Sequence, residues 1–169
     1  MKRIWILMLG LCMLTLSTAQ AQQYKIGYFD TQYVLPKMTE YKRAQTEMQT
    51  YTKKLEDEFK RKQQMFQKQV QAFRQQEAKM SAAARKAKGE QLSKQQMELQ
   101  RFQQTAQTRI DKKRGNLLNP IYKKVEAALA VVAKEGKYNF IIRKETALFS
   151  NKKYDISDVV LKKLGIKTN

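Results

Sequence analysis

The sequence predicts a mostly helical α+β fold, in which a long antiparallel helical hairpin projects from a small β body. Three observations carry that reading. Short runs of aromatic and β-branched residues lie near opposite ends of the chain, at Lys25–Phe29 and Tyr138–Ile142. From Tyr41 to the residue before Gly136, only Gly89, Gly115 and Pro120 interrupt a stretch whose apolar residues recur at helical spacing. A single break near Ser81 divides that stretch into two arms. At 1.5 Å per residue, an arm of roughly forty residues reaches about 60 Å. A chain of 169 residues cannot wrap such a pair in a compact core, so the arms extend into solvent.

Taking the elements in order, residues 1–21 have the layout of a cleavable export signal. Lys2 and Arg3 form the charged start, Ile4–Leu16 an apolar run, and Ala19 and Ala21 the small residues of a cleavage site. The run is well short of the roughly 20 residues a spanning helix needs. Cys12 does not fit a lipoprotein signal, because bulky Leu11 precedes it inside the apolar run. The mature chain then starts at Gln22, has no cysteine, and carries +17 where the full sequence carries +19. Export also removes genomic DNA as a natural partner of so basic a protein.

The body is assigned to residues 22–40 and 120–169. Lys25-Ile26-Gly27-Tyr28-Phe29 reads as a strand, with Asp30 a candidate cap for the turn that follows. Tyr138–Ile142 reads as a second strand after a helix ended by Gly136. Ala147-Leu148-Phe149 is close enough to form a hairpin with it. Either Asp155 or Ser157 is suited to cap a last short helix that Gly165 stops.

The arm is assigned to residues 41–119. Its first half carries an apolar stripe at Ala44, Met48, Tyr51, Leu55, Phe59, Phe66, Val70 and Phe73. Columns such as Met48, Phe59 and Val70 recur at an interval of about eleven, which keeps a helical stripe nearly straight. Lys62 and Glu77 fall in such columns, so the seam is narrow and faces one neighbour. Ser81 then caps a return helix opened by Ala82-Ala83-Ala84, with a stripe at Leu92, Leu99, Phe102, Ile110, Leu117 and Ile121.

Composition excludes most chemistry. Without histidine the usual neutral-pH base and commonest metal ligand are missing, and one cysteine allows no internal disulfide or thiolate zinc site. There is no glycine-rich phosphate loop or calcium-loop pattern. Glu56-Asp57-Glu58 is dense, but consecutive helical residues point apart and cannot jointly hold a metal. These acids are expected to pair with Lys53, Lys54, Lys60, Arg61 and Lys62 on a solvated face. No enzyme, cofactor or metal is expected.

Charge is the positive signal. Residues 41–119 hold 19 basic and 8 acidic side chains, a net +11. A solvated helix face explains why charge is present, but not why one sign exceeds the other by more than two to one. The excess is read as attraction for anionic partners. Candidate contacts are Lys53, Lys54, Lys60, Arg61, Lys68, Arg74, Lys79, Arg85 and Lys86. Most methionines and phenylalanines of the arm are assigned to seam packing. Met65 and Met97 lie off the stripe or at its edge, where a flexible thioether suits a surface accepting varied partners.

In their order these features resemble the Skp (OmpH-like) family of periplasmic chaperones. The matching features are the signal, Lys25-Ile26-Gly27-Tyr28-Phe29-Asp30, Pro36 and Glu40-Tyr41-Lys42-Arg43-Ala44. They continue through a Lys/Gln/Glu hairpin reopened at Ser81–Arg85 to Tyr138–Ile142 and Asp155-Ile156-Ser157-Asp158, and so cover essentially the whole mature chain. The resemblance implies a homotrimer whose strands build a barrel-like body that includes Ile26, Tyr28, Phe140 and Ile142. Three hairpins would then enclose a central cavity. It further implies an ATP-independent holdase for unfolded outer-membrane β-barrel proteins in the periplasm of a Gram-negative bacterium. A lipopolysaccharide site of basic residues occurs in some members, and no local stretch here matches it.

A different reading is an envelope structural or adaptor protein, whose basic coiled-coil hairpin binds anionic lipid or lipopolysaccharide. Nucleic acid is not expected as a physiological partner. So basic a chain binds DNA through charge alone, and the sequence carries neither a groove-reading helix pair nor an aromatic RNA platform.

Overall fold

The computed structural model describes residues 24–167, so the signal segment with Ala19 and Ala21 lies outside the described residues. Strand β1 spans Ile26–Phe29. Asp30 follows as an N-cap, its carboxylate accepting the Tyr33 N–H at 3.0 Å to start α1, a single turn at Thr31–Val34. Pro36 sits in the next 3-10 turn, Leu35–Lys37. Helix α2 runs Thr39–Gln76, a 3-10 turn covers Glu77–Lys79, and helix α3 runs Ala82–Gly136. The Ser81 hydroxyl accepts the Ala84 N–H at 3.2 Å and caps α3. Strand β2 (Phe140–Arg143) and helix α4 (Ser157–Lys163) complete the chain.

The two strands pair in parallel, from Ile26 with Phe140 to Phe29 with Arg143. Parallel neighbours need a long crossover, and here the whole helical hairpin is that crossover. The expected hairpin between Tyr138–Ile142 and Ala147–Phe149 does not form. Lys144–Thr146 is a 3-10 turn and Ala147–Phe149 belongs to no strand. Asn139 explains the choice of partner: its N–H donates to the Lys25 carbonyl at 2.8 Å, and its side-chain oxygen accepts the Lys25 N–H at 2.8 Å. That clamp sets β2 against β1 before the chain reaches any hairpin partner.

Helix α3 is continuous for 55 residues and passes through Pro120, so arm and body share one helix across the expected boundary at residue 120. Pro120 has no N–H to give the Asn116 carbonyl. The helix continues because its next turns bury Ile121, Val125, Ala128 and Val132, spaced by four, three and four, in the body core. Phe29 from β1, Val34, Leu35 and Met38 around α1, and Ile156, Val160 and Leu161 of the last segment complete that core.

Helix α3 ends at Gly136, where the sequence puts its end. Lys137, not Gly136, takes the left-handed conformation, with φ 52° and ψ 41°. The Tyr138 N–H donates to Ala133 at 2.9 Å and the Lys137 N–H to Lys134 at 3.4 Å, the Schellman pattern. Gly136 is needed for space: a Cβ there would lie 2.3 Å from the Tyr138 ring, which folds back over the helix end. The Lys25 ammonium covers that ring, 4.3 Å from its centroid, and donates to the Gly136 carbonyl at 2.8 Å. Lys137→Gly should therefore stabilise the fold by about 1 kcal/mol, while Gly136→Ala should lower the urea midpoint. Equal midpoints for the two variants would contradict both assignments.

At the other end, Ile156 occupies the N-cap position of α4, and Asp155 just before it accepts the Ser157 N–H at 2.9 Å. Ser157 is buried, and its hydroxyl instead accepts the Asp30 N–H at 3.0 Å, fixing α4 to the end of β1. Gly165, at φ 76°, ends the segment, and the Ile166 N–H returns to the Leu161 carbonyl at 2.9 Å.

Candidate interaction surfaces

Two surfaces follow from this architecture: the hairpin, and the outer face of the small sheet. Outside the body core, Leu55 and Leu92 are the only buried apolar side chains of the hairpin among the described residues, and neither is sealed completely. The seam is thin because each helix has a single neighbour. Midway, Phe59 and Phe102 stack with centroids 6.1 Å apart and planes 20° from parallel. Lys62 and Arg109 flank the Phe102 ring at 5.9 and 5.8 Å, laying their stems along the apolar edge. Nearer the body, Glu47–Lys113 and Glu40–Lys124 ion pairs cross the seam. The hydrogen bond from Lys124 holds the Glu40 carboxyl below its ordinary range. Both pairs are solvent-exposed, so they favour register more than stability.

Lys53, Lys54, Lys60, Arg61, Lys68, Arg74, Lys79, Arg85 and Lys86 are all exposed. None of them lies within 4.0 Å of a carboxylate among the described residues. The expected pairing of Glu56-Asp57-Glu58 with their neighbours does not form, since fixing two long side chains in water gains too little. Met65 and Met97 are 61% and 57% exposed. Between Phe66 and Leu99 the seam opens into a groove of about 200 Å3, lined also by Lys62, Met65, Gln69, Gln95 and Glu98. The side-chain oxygens of Gln69 and Gln95 are buried without a hydrogen-bond partner. Sequence reasoning missed this pair, because two among many arm glutamines carry no periodic signal.

The sheet has two unlike faces. A Cβ on Gly27 would touch Tyr138 and Ile156, and Phe29 is in the core, so that face points inward with Ile141. Alternation puts Ile26, Tyr28, Phe140 and Ile142 on the other face. Tyr28 is buried within the subunit, while Ile26, Phe140 and Ile142 are 46%, 56% and 40% exposed. Tyr24 packs a tilted ring on Phe140 at 6.2 Å, and Leu148 and Phe149 lie almost wholly in solvent. The sequence had assigned those last two to a strand and left Tyr24 without a role. One edge of β1 is paired with β2 and the other bridges to Asp155, and β2 has no second neighbour among the described residues. An uncovered apolar face beside an open strand edge is a surface that folding alone does not bury.

A polar cluster braces this body. The Asp30 carboxylate receives the Lys144 ammonium at 2.6 Å, Thr31 donates to Glu145, and Tyr33 donates to Asp158 at 2.9 Å. The Lys144 hydrogen bond holds Asp30 below the ordinary carboxylate range, and the same bond holds Lys144 above the ordinary amine range. Asp30 therefore contributes stability above its unfolded pKa of about 4, lost as pH falls through the lower folded value. Lys144 contributes below its unfolded pKa of about 10.4, lost as pH rises through the higher folded value. Asp30→Asn keeps a capping oxygen but not the charge. Its urea midpoint should lie below the parent's at pH 7, and the gap should close on acidification below about pH 4. A gap unchanged at low pH would dissociate the ion pair from stability.

Comparison with known proteins places this geometry. A family model described as outer membrane protein (OmpH-like) matches residues 25–164. A crystal structure of an OmpH-like outer membrane chaperone from Caulobacter crescentus CB15, described as such at 2.83 Å resolution, has the same fold with a TM-score of 0.73. It is 17% identical, and the likeness covers 86% of this chain and 88% of that one. No curated protein matches the sequence.

Proposed function

The chain belongs to the OmpH-like outer membrane protein family, and from that premise we propose that it is an ATP-independent holdase chaperone of the periplasm. It assembles as a homotrimer and holds unfolded outer-membrane β-barrel proteins between its arms, without catalysis or cofactor. The chaperone role is supported by the family and by the description of the Caulobacter crescentus neighbour. The observation that carries the rest is a hairpin with almost no buried side chains outside the body, joined to a sheet whose outer apolar face is uncovered. Self-association covers the face and brings the arms side by side.

In this reading the work is divided by range. Three arms gather roughly +33 from +11 each, acting over about one Debye length, ~8 Å at physiological salt. Exposed Met65 and Met97 then supply weak apolar contacts, and many such contacts hold a client without one dominant site. Export by residues 1–21 delivers the chain to the compartment where such clients pass unfolded. The adaptor reading, with anionic lipid or lipopolysaccharide as partner, draws only on the unpaired cations and leaves the sheet face without a role. The deciding assay dilutes a urea-unfolded outer-membrane β-barrel protein into buffer with stoichiometric chaperone and follows light scattering. Scattering should stay near baseline; a client that aggregates as fast as it does alone would end the holdase reading.

A further inference from the structure

Cys12 and Trp5 both fall within residues 1–21, so from residue 22 onward the sequence has no cysteine, histidine or tryptophan. Thioether sulfur is then the side-chain atom that gives two electrons to a peroxide most readily. Access divides the methionines sharply. Met38 is 1% exposed in the body core, Met48 and Met80 are half-buried, and Met65 and Met97 are 61% and 57% exposed. Glu98 borders the surroundings of both exposed side chains, so they flank one stretch of the arm. Each also has cations at helical spacing on its own face, Lys62 and Lys68 about Met65, Lys94 and Arg101 about Met97. None of these four lies within 4.0 Å of a carboxylate among the described residues, which leaves N–H groups to donate to an oxygen placed on sulfur.

We propose that Met65 and Met97 form a reversible oxidation site, through which hydrogen peroxide loosens the arm's hold on a client. The site rests on exposure and sulfur chemistry, and its effect on binding rests on the holdase reading. In the oxidation the O–O bond breaks, one oxygen bonds to sulfur, which loses two electrons, and the other leaves as water. Reversal takes two thiols, which yield a disulfide and water while sulfur regains the electrons. Sulfoxide is polar, so each oxidised side chain stops offering an apolar contact. Both side chains are more than half exposed, so the change alters the surface and leaves seam and core intact.

The test treats the full chain with hydrogen peroxide and maps each methionine by mass spectrometry. Met65 and Met97 should oxidise at least about tenfold faster than Met38, whose sulfur is reached only when the body opens. Helicity should not change. The amount of chain needed to halve client scattering should rise about fivefold, then fall back after treatment with a methionine sulfoxide reductase and thiol. Met65→Leu combined with Met97→Leu keeps apolar bulk without sulfur, so its holding should be the same before and after peroxide. Met38 oxidising as fast as the exposed pair, or a double variant that loses holding to peroxide as the parent does, would overturn the proposal. So would a chain that carries both sulfoxides and holds clients undiminished, a result that spares the holdase reading. Failure to suppress scattering even before oxidation would end the holdase reading, while selective oxidation in the mapping would still establish the site.

Discussion

Phe140→Glu combined with Ile142→Glu should convert the proposed trimer to a monomer with unchanged helical content. Both side chains project from the outer face of the sheet, at 56% and 40% exposure, so neither contributes to the core beneath. In the monomer the new carboxylates stand in water at little expense. In an assembled body they would lie on apolar neighbours without a counter-charge, where burying even one ionised group is prohibitive. The selectivity comes from alternation. Ile141, between them, packs against the core, and a glutamate there should unfold the body instead. Sedimentation should give the mass of a single chain. Holding should fall with assembly, because linked weak sites exceed single ones by about 10²–10⁴ in avidity. A double variant that retains the parent mass would exclude this face as the interface.

The elements with a period or a cap were legible in the sequence, and those set by contacts from afar were not. Ser81 announced the return helix because a hydroxyl before three alanines has one obvious use, and the hydrogen bond to Ala84 is there. Asp30 was legible as a cap, but its partner Lys144 was not, since the two are 114 residues apart. The strand at Phe140 was found by composition, whereas its pairing with Ile26 depended on the Asn139 clamp, which has no sequence signature. Gly136 was legible as the end of the helix, but the contact that requires glycine there was not: it clears space for Tyr138, and Lys137 carries the positive φ. On the hairpin, the stripe located the seam. It did not show that Gln69 and Gln95 would be left without donors, because glutamine is the arm's commonplace residue.

Leu161→Ala should be the most damaging truncation in the chain, at about 2–5 kcal/mol, because the side chain has no exposed surface. Typical domains have only about 5–15 kcal/mol to lose. Its effect reaches beyond its own cavity. Leu161 holds α4 in the core, and the start of that segment makes two hydrogen bonds to the end of β1. The Ile156 N–H donates to Tyr28 at 3.0 Å, and the Ser157 hydroxyl accepts the Asp30 N–H at 3.0 Å. Loosening α4 therefore loosens the strand that presents the outer face. Leu55→Ala offers the contrast: Leu55 is buried too, but in a seam between two helices with solvent on every other side. Such a site relaxes by local fraying, so its cost should fall near or below the lower limit of that range. Urea titrations at one fixed protein concentration check both, since association couples stability to concentration. Equal losses would mean that arm and body unfold as one cooperative unit, and the division between a tight base and a yielding arm would have to be abandoned.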